Sequence, residues 1–205
     1  MESRFKSISL NEFLSNNNME RVATEYIETF RSPQNKDIES FLKHHAIEFT
    51  KKGQSVTYLV IRKTDIAELV GYYTLTIKPI TISNNCILSN TLRRRIERVC
   101  KSYDGYYSLA SYLIAQFGKN YGIEESKRID GKDLLKIALN TLTDVKYRIG
   151  GVAVFVECEE EKNNNDSPKY DVEVLKNFYT QNDFNLFGER ISDKKVKLYQ
   201  LVKAV

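Results

Sequence analysis

A chain of 205 residues, 41% hydrophobic and 11% aromatic with a net charge of +4, is long enough to fold around one proper core and short for two. Its mildly basic balance suits an anionic cofactor or RNA and selects neither; no apolar run reaches the roughly 18 residues that a membrane span needs, and the first residues lack the apolar stretch of a secretion signal. Cys86, Cys100 and Cys158 are odd in number and have no metal-ligand spacing, which points to reduced thiols in a cytoplasm. The histidines, His44 and His45, are adjacent and cannot both face one site on a helix, which argues against a metal centre or a Ser-His-Asp triad.

Residues 1–20 are polar, the Asn16, Asn17, Asn18 run marks a loop, and residues 10–14 read as a short peripheral helix. Residues 22–30 fit a strand or a helix. After Ser32 and Pro33, the positions Ile38, Phe41, Leu42, Ile47 and Phe49 recur at helical spacing over 37–49, and Gly53 ends that helix. Residues 56–62 and 68–77 are strand-like and joined by polar Lys63, Thr64 and Asp65, a hairpin with antiparallel pairing; Pro79 closes the second run. A charged excursion over 84–105 carries Arg93, Arg94, Arg95 and Arg98 and predicts a short helix that returns the chain to a strand at 111.

Beyond that strand, Leu134, Leu135, Ala138, Leu139, Leu142 and Val145 form one apolar stripe at helical period, and Gly150 and Gly151 stop the helix. Residues 152–156 are continuously apolar, as in a strand covered on both faces. Residues 159–169, acidic and then asparagine-rich, read as a flexible loop. Residues 171–181 predict a second amphipathic helix with Val174, Leu175 and Phe178 on its buried side, and 196–202 a last strand. Paired strands followed by strand-helix-strand-helix-strand give an α/β fold, a mixed sheet flanked by helices.

The stretch 111–143 carries the chemistry. A strand ends at Gln116, Phe117 and Gly118; a polar loop holds Lys127, Arg128, Ile129 and Asp130; Gly131 opens the helix. A helix N-terminus leaves N–H groups unpaired and partly positive, so a glycine there lets backbone approach a phosphate. The same residues also read as an ordinary strand-to-helix connection with Asp130 as N-cap and Asp133 as a helix-start carboxylate. Those two acids compete with a phosphate.

This strand, glycine turn and helix, the strand ending in Val156, Glu157 and Cys158, and then Leu175, Phe178, Tyr179, Asn182 and Phe184 resemble the second half of the GNAT superfamily of N-acetyltransferases. Gly71, Tyr72, Tyr73, Thr74 and Leu75 resemble the third strand of members similar to toxins of toxin–antitoxin pairs, and residues 37–49 their first helix. The resemblance covers about residues 30–203. It implies a single GNAT-like domain over 1–205, with an N-terminal extension at 1–29 and the acetyl-CoA-binding and catalytic half at 111–203. The family's pyrophosphate loop reads Gln or Arg, two residues, Gly, one residue, Gly or Ala. With Gly131 as its first glycine, Arg128 fits and Asp133 replaces the last; with Gly131 as its last, Ser126 and Ile129 hold the other places. The glycine expected before the phenylalanine is Asp183, a residue that tolerates left-handed backbone.

The resemblance implies that acetyl-CoA lays its pantetheine arm along the strand edge at Gln116, Phe117 and Gly118 as an added strand. The pyrophosphate would meet the amides of Gly131, Lys132, Asp133 and Leu134, with Lys127, Arg128 and Lys132 offsetting the aspartates. Tyr179 stands where the family places the proton donor to the departing thiolate, a role that suits a hydroxyl of pKa near 10 against a thiol of about 8.5. A backbone N–H near Phe117 would serve the oxyanion. Glu157 is the candidate base for an amine that must be neutral to attack, which is easier for an α-amine of pKa about 8 than for lysine at about 10.4.

The arginine cluster with Tyr103, Tyr106 and Tyr107 reads as a grip for a nucleic-acid backbone or the cofactor's 3′-phosphate, or as a solvated helix face. The expected function is transfer of acetyl from acetyl-CoA to an amine on a small molecule, a protein or aminoacyl-tRNA. The alternatives are a toxin that acetylates aminoacyl-tRNA and is partnered by an antitoxin, and a non-catalytic acyl-CoA- or protein-binding module. The chain is expected in the cytoplasm, off the membrane, with a homodimer as one assembly.

Overall fold

The computed structural model describes residues 4–15, 17–64, 67–160, 171–193 and 195–205. Strand β1 (Phe5–Ser9) runs straight into α1 (Leu10–Leu14), whose start is fixed by a capping box between Ser9 and Glu12. This helix is not peripheral, because Leu10 and Phe13 are buried. Helix α2 (Asn17–Glu28) resolves the ambiguous stretch and absorbs Asn17 and Asn18, which were expected in a loop. The helix expected over 37–49 is two, α3 (Lys36–His44) and α4 (Ala46–Lys51), because His45 between them has φ −125°, outside the helical region.

Strands β2 (Val56–Arg62) and β3 (Glu68–Ser83) pair antiparallel from Val56 opposite Leu75 to Arg62 opposite Glu68. β3 passes through Pro79 instead of ending there. The ladder with β2 has finished at Leu75, so the missing N–H of Pro79 removes no bond from it. Next come α5 (Asn90–Val99), β4 (Tyr106–Lys119), a 3₁₀ turn at Glu125–Lys127, α6 (Gly131–Ile149), β5 (Ala153–Glu159), α7 (Val172–Thr180), β6 (Asn185–Ile191) and β7 (Lys197–Ala204). Strands β1 and β6 were not expected. The first lies in a segment that reads as polar, and Gly188, Glu189 and Arg190 break the apolar pattern of the second. Nearly all of the loop expected at 159–169 lies outside the described residues.

The strands form a seven-stranded mixed sheet in the order β1-β2-β3-β4-β5-β7-β6, with β4 and β5 parallel. The chain divides into two compact units, residues 1–76 with 114–140 and residues 77–113 with 141–205. In the first, Leu10 and Phe13 of α1, Ile27 of α2 and Leu42 of α3 bury against Leu59 of β2 and Tyr72 of β3. In the second, Ile80 and Ile82 of β3, Leu92 and Ile96 of α5, Phe155 of β5 and Val202 of β7 form the core. Among the described residues, no helix is long and apolar enough to cross a membrane, and no cluster of His, Cys, Asp and Glu could hold a metal ion.

Candidate functional site

The predicted cofactor residues fall in the first unit. β4 and β5 pair over Tyr112 with Val154 and Leu113 with Phe155. β4 itself runs on to Lys119. Gln116 and Phe117 are half-buried and Gly118 is buried. Gly118 cannot be replaced in place, since a Cβ there would lie 2.6 Å from Cγ2 of Ile38 and 3.2 Å from the ring of Phe30. Gly71, in the Gly71 to Leu75 segment, answers it: a Cβ on Gly71 would sit 2.8 Å from the Gly118 carbonyl oxygen and 3.1 Å from Leu134 of α6. The glycine is therefore required by close packing of β3 against the end of β4 and the start of α6.

After Lys119 the chain is tied down by Asn120, whose side chain is fully buried. Its Oδ1 accepts from the Arg31 N–H at 2.9 Å and the Gly122 N–H at 2.8 Å, and its Nδ2 donates to the carbonyls of Leu69 at 2.8 Å and Thr29 at 3.4 Å. Sequence reasoning missed this residue, since a single asparagine after a strand carries no signal. The Arg128 guanidinium donates to the carbonyls of Ile123 and Tyr121, each at 3.2 Å, and lies over the Tyr121 ring. Lys127 reaches Glu68 at 3.3 Å and Glu124 at 3.5 Å. α6 begins at Gly131 as expected, and Asp130 does cap it: its Oδ1 accepts from the Lys132 N–H at 3.3 Å and its carbonyl from the Leu134 N–H at 3.0 Å. Of the four amides assigned to a pyrophosphate, those of Lys132 and Leu134 thus already have acceptors. Lys132 and Asp133 are exposed and Leu134 is buried.

Glu157 and Tyr179 belong to the second unit. Glu157, on β5, receives the Arg190 guanidinium in a bidentate fork at 2.6 and 2.7 Å and the Gln200 amide at 2.8 Å, with Lys78 at 3.7 Å. Burial alone would raise its pKa, but the hydrogen bonds from Arg190 and Gln200 and the charges of Lys78 and Arg190 outweigh burial and hold it below the usual carboxylate range. A carboxylate so partnered is a weaker base than the sequence suggests. It orders Arg190, Gln200 and Lys78 on one end of the sheet. Arg190 lies on the unexpected strand β6, so nothing in the sequence marked it.

Tyr179, near the C-terminus of α7, is 7% exposed, whereas Val174, expected on the buried side, is 59% exposed. Leu175 and Phe178 are half-buried. The ring of Tyr179 meets Phe178 and Phe184 edge-on at 5.1 and 5.3 Å. The turn that brings Phe184 back needs left-handed backbone at Asp183 (φ 65°), and the Phe184 N–H then donates to the Tyr179 carbonyl at 3.1 Å. Burial, with Cys158 nearby, raises the pKa of the Tyr179 hydroxyl well above the usual phenol range, so it keeps its proton at any working pH. The Cys158 thiol is itself pushed up to about 12 by burial and is not a nucleophile.

The arginine cluster is divided by the fold. Arg93 donates to the carbonyls of Asn84 and Cys86, and Arg95 to that of Val205, which leaves Arg94 and Arg98 on the exposed face of α5. Tyr107 is buried and reaches Glu97 of α5 at 3.2 Å, so its strand neighbour Tyr106 points to the opposite face. Tyr106 pairs with Tyr103 across the Asp104-Gly105 turn, and both rings are exposed. The arginines and the exposed tyrosines do not make one surface.

No protein-family model matches the chain, and no curated protein matches its sequence. Solved structures do. A tyrosine-to-phenylalanine mutant of the AtaT toxin, bound to the C-terminus of the antitoxin AtaR and acetyl-CoA, superposes with a TM-score of 0.57 over 98% of this chain and 94% of its own, at 14% identity. A tyrosine-to-phenylalanine mutant of KacT gives 0.58 over 97% and 95%, at 16% identity. AtaT complexed with acetyl-methionyl-tRNAfMet gives 0.58 over 95% and 93%, at 14% identity. Over nearly its whole length the chain therefore has the GNAT-like acyl-CoA N-acyltransferase fold that its sequence resembles, in the form these toxin structures take.

Proposed function

We propose that this chain is an acetyl-CoA-dependent N-acetyltransferase of the toxin type, acting on the α-amine of aminoacyl-tRNA and held in check by an antitoxin. The observation that carries this reading is the overlap of 98% of the chain with the toxin AtaT solved with acetyl-CoA and the C-terminus of its antitoxin bound, the same toxin being solved also with acetyl-methionyl-tRNAfMet. The residues fit the cosubstrate in part. The edge of β4 at Gln116, Phe117 and Gly118 suits the peptide-like pantetheine arm, and the N–H groups of Gly131 and Asp133 suit a phosphate. The Asp130 carboxylate must give up the Lys132 N–H when a pyrophosphate arrives.

In the reaction, the acceptor nitrogen forms a bond to the thioester carbonyl carbon, the C–S bond breaks, and coenzyme A leaves as a thiolate. A backbone N–H near Phe117 stabilises the oxyanion, Tyr179 gives its proton to the thiolate and takes one back from water, and the proton from the amine passes to water. An α-amine with pKa about 8 is neutral in about one molecule in ten at about pH 7, far more than a lysine amine, which fits a site whose one candidate carboxylate, Glu157, is held ionised by Arg190. Glu157 then acts as a positioning residue.

The test is incubation of the protein with labelled acetyl-CoA and a mixture of aminoacyl-tRNAs, followed by hydrolysis and identification of N-acetylated amino acids. Label found only on proteins or small amines would move the acceptor elsewhere. A second reading, a non-catalytic acyl-CoA-binding module, is favoured by the two aspartates at the start of α6; it predicts a thermal shift with acetyl-CoA and no transfer to any acceptor. A small antitoxin encoded beside this chain would support the toxin reading.

A further inference from the structure

From the contacts of residues 120–130 we infer that Arg128 and Asn120 are positioning residues that set the loop between β4 and α6 in its binding shape before any cofactor arrives, and that Arg128 is not a phosphate ligand. This rests on the acetyl-CoA reading and assigns to Arg128 a role other than the one its motif position suggests.

The loop has two clamps. At its start, every hydrogen-bonding site used on the buried Asn120 amide goes to backbone: Oδ1 to the N–H groups of Arg31 and Gly122, Nδ2 to the carbonyls of Leu69 and Thr29. These bonds fix the exit of β4 to β3 and to the segment after α2. Gly122 is held so closely that a Cβ would lie 2.7 Å from the Thr29 carbonyl oxygen. At the other end, Arg128 turns inward. Its Nε donates to the Ile123 carbonyl and its Nη2 to the Tyr121 carbonyl, and its guanidinium carbon Cζ lies 5.1 Å from the Tyr121 ring centroid, with Lys119 Nζ 5.6 Å from the same centroid.

The loop is thus cross-braced from residue 128 back to 121 and 123, and Ile129, buried next to the brace, leads into Asp130 and the first turn of α6. A side chain committed to two carbonyls and a ring has a planar fork geometry that lysine cannot reproduce. A phosphate contact would need mainly its charge.

That difference makes the inference testable. Acetyl-CoA binding is measured by calorimetry for the wild type, Arg128→Lys and Arg128→Ala, and amide hydrogen exchange over residues 121–134 is measured for each without ligand. A brace predicts that both variants lose affinity about equally, by about tenfold if the binding-competent loop falls to about a tenth of the population. It also predicts that both exchange faster at 121–123 than the wild type while the rest of the first unit is unchanged. If Arg128→Lys keeps wild-type affinity and exchange while Arg128→Ala loses affinity, Arg128 is a charge on the phosphate and the inference is overturned. Should the wild type bind no acetyl-CoA, the exchange comparison still decides the brace, and the fault lies with the cofactor assignment. Unchanged exchange in both variants also overturns it. Asn120→Asp, which replaces the amide donor with a carboxylate oxygen facing the carbonyls of Leu69 and Thr29, should speed exchange at the same amides; if it fails to fold, the arginine pair carries the test.

Discussion

In the first unit the groups proposed to meet a ligand are peptide N–H and C=O groups at the end of β4 and the start of α6, while the side chains of Asn120 and Arg128 bond to backbone and Lys127 pairs with Glu68. In the second unit the proposed roles fall on side chains: a buried tyrosine whose pKa is raised by burial, and a carboxylate paired with an arginine. Backbone recognition tolerates changes in sequence so long as the path of the chain is kept. That is how a loop with a single glycine could still serve the proposed phosphate, and why side-chain substitutions should act differently in the two units, on affinity in the first and on turnover in the second.

The sharpest break of this contrast is Tyr179→Phe. The ring contacts with Phe178 and Phe184 survive, and only the hydroxyl is lost, so kcat should fall about 10²-fold or more while the dissociation constant for acetyl-CoA barely moves. Near wild-type turnover would give the proton to water or another residue. The raised pKa of Tyr179 also fixes the sign of the pH dependence. The donor stays protonated, so kcat should rise as the acceptor amine loses its proton near pH 8 and show no alkaline fall below about pH 10. A fall between pH 8 and 9 would exclude it as the acid.

In the first unit the expected large effects are backbone effects. Gly71→Ala should lower stability by about 2 kcal/mol in thermal unfolding, because its Cβ meets a carbonyl oxygen of β4 that cannot move aside. Gly131→Val should leave stability nearer to wild type and reduce the rise in melting temperature that acetyl-CoA gives, since bulk is added where backbone must approach the phosphate. Equal shifts for wild type and Gly131→Val would place the phosphate elsewhere.

Glu157→Gln sharpens the second half of the contrast. It removes the bidentate partner of Arg190 at a cost of about 1 kcal/mol, allowing for the exposure of the arginine. Because the folded pKa of Glu157 is depressed, its contribution is complete above the unfolded value of about 4.3 and is lost as pH falls through the lower folded value. The gap in melting temperature between wild type and variant should therefore be constant from pH 5 upward and close in strong acid. A gap that widened toward low pH would mean that the carboxyl is protonated in the fold.

The smallest effect is expected at the arginines. Neutralising Arg94 and Arg98 should leave stability unchanged and flatten the salt dependence of activity on tRNA if they meet phosphates. Neutralising Arg93 or Arg95 should instead destabilise the fold, since each satisfies backbone carbonyls.

Much of the framework was legible in the sequence because it follows local rules. The apolar stripe from Leu134 to Leu142, the glycine pair that ends α6, the unbroken run in β5 and the left-handed turn at Asp183 are each set by periodicity or by a residue's backbone freedom. These features carried the resemblance, and the whole-chain match to AtaT and KacT agrees with it. Strand β1, the passage of β3 through Pro79 and strand β6 were not legible. A strand's partners lie far away in sequence, and whether a proline or a glycine breaks it depends on which of its edges is paired.

The same division holds at the site. Sequence alone determined that Gly131 opens a helix, offered Asp130 as its cap beside the phosphate reading, and put a tyrosine after Phe178 near the end of α7. Only the tertiary structure decided that Tyr179 and not Val174 is the buried residue of that helix, that Glu157 is paired with Arg190, and that Arg128 faces back into its own loop. Capping and helix initiation are decided by the residues within one turn, whereas burial and pairing are decided by whatever other strands and loops bring alongside. For Glu157 that was β6 and β7, whose contribution no spacing around residue 157 could encode.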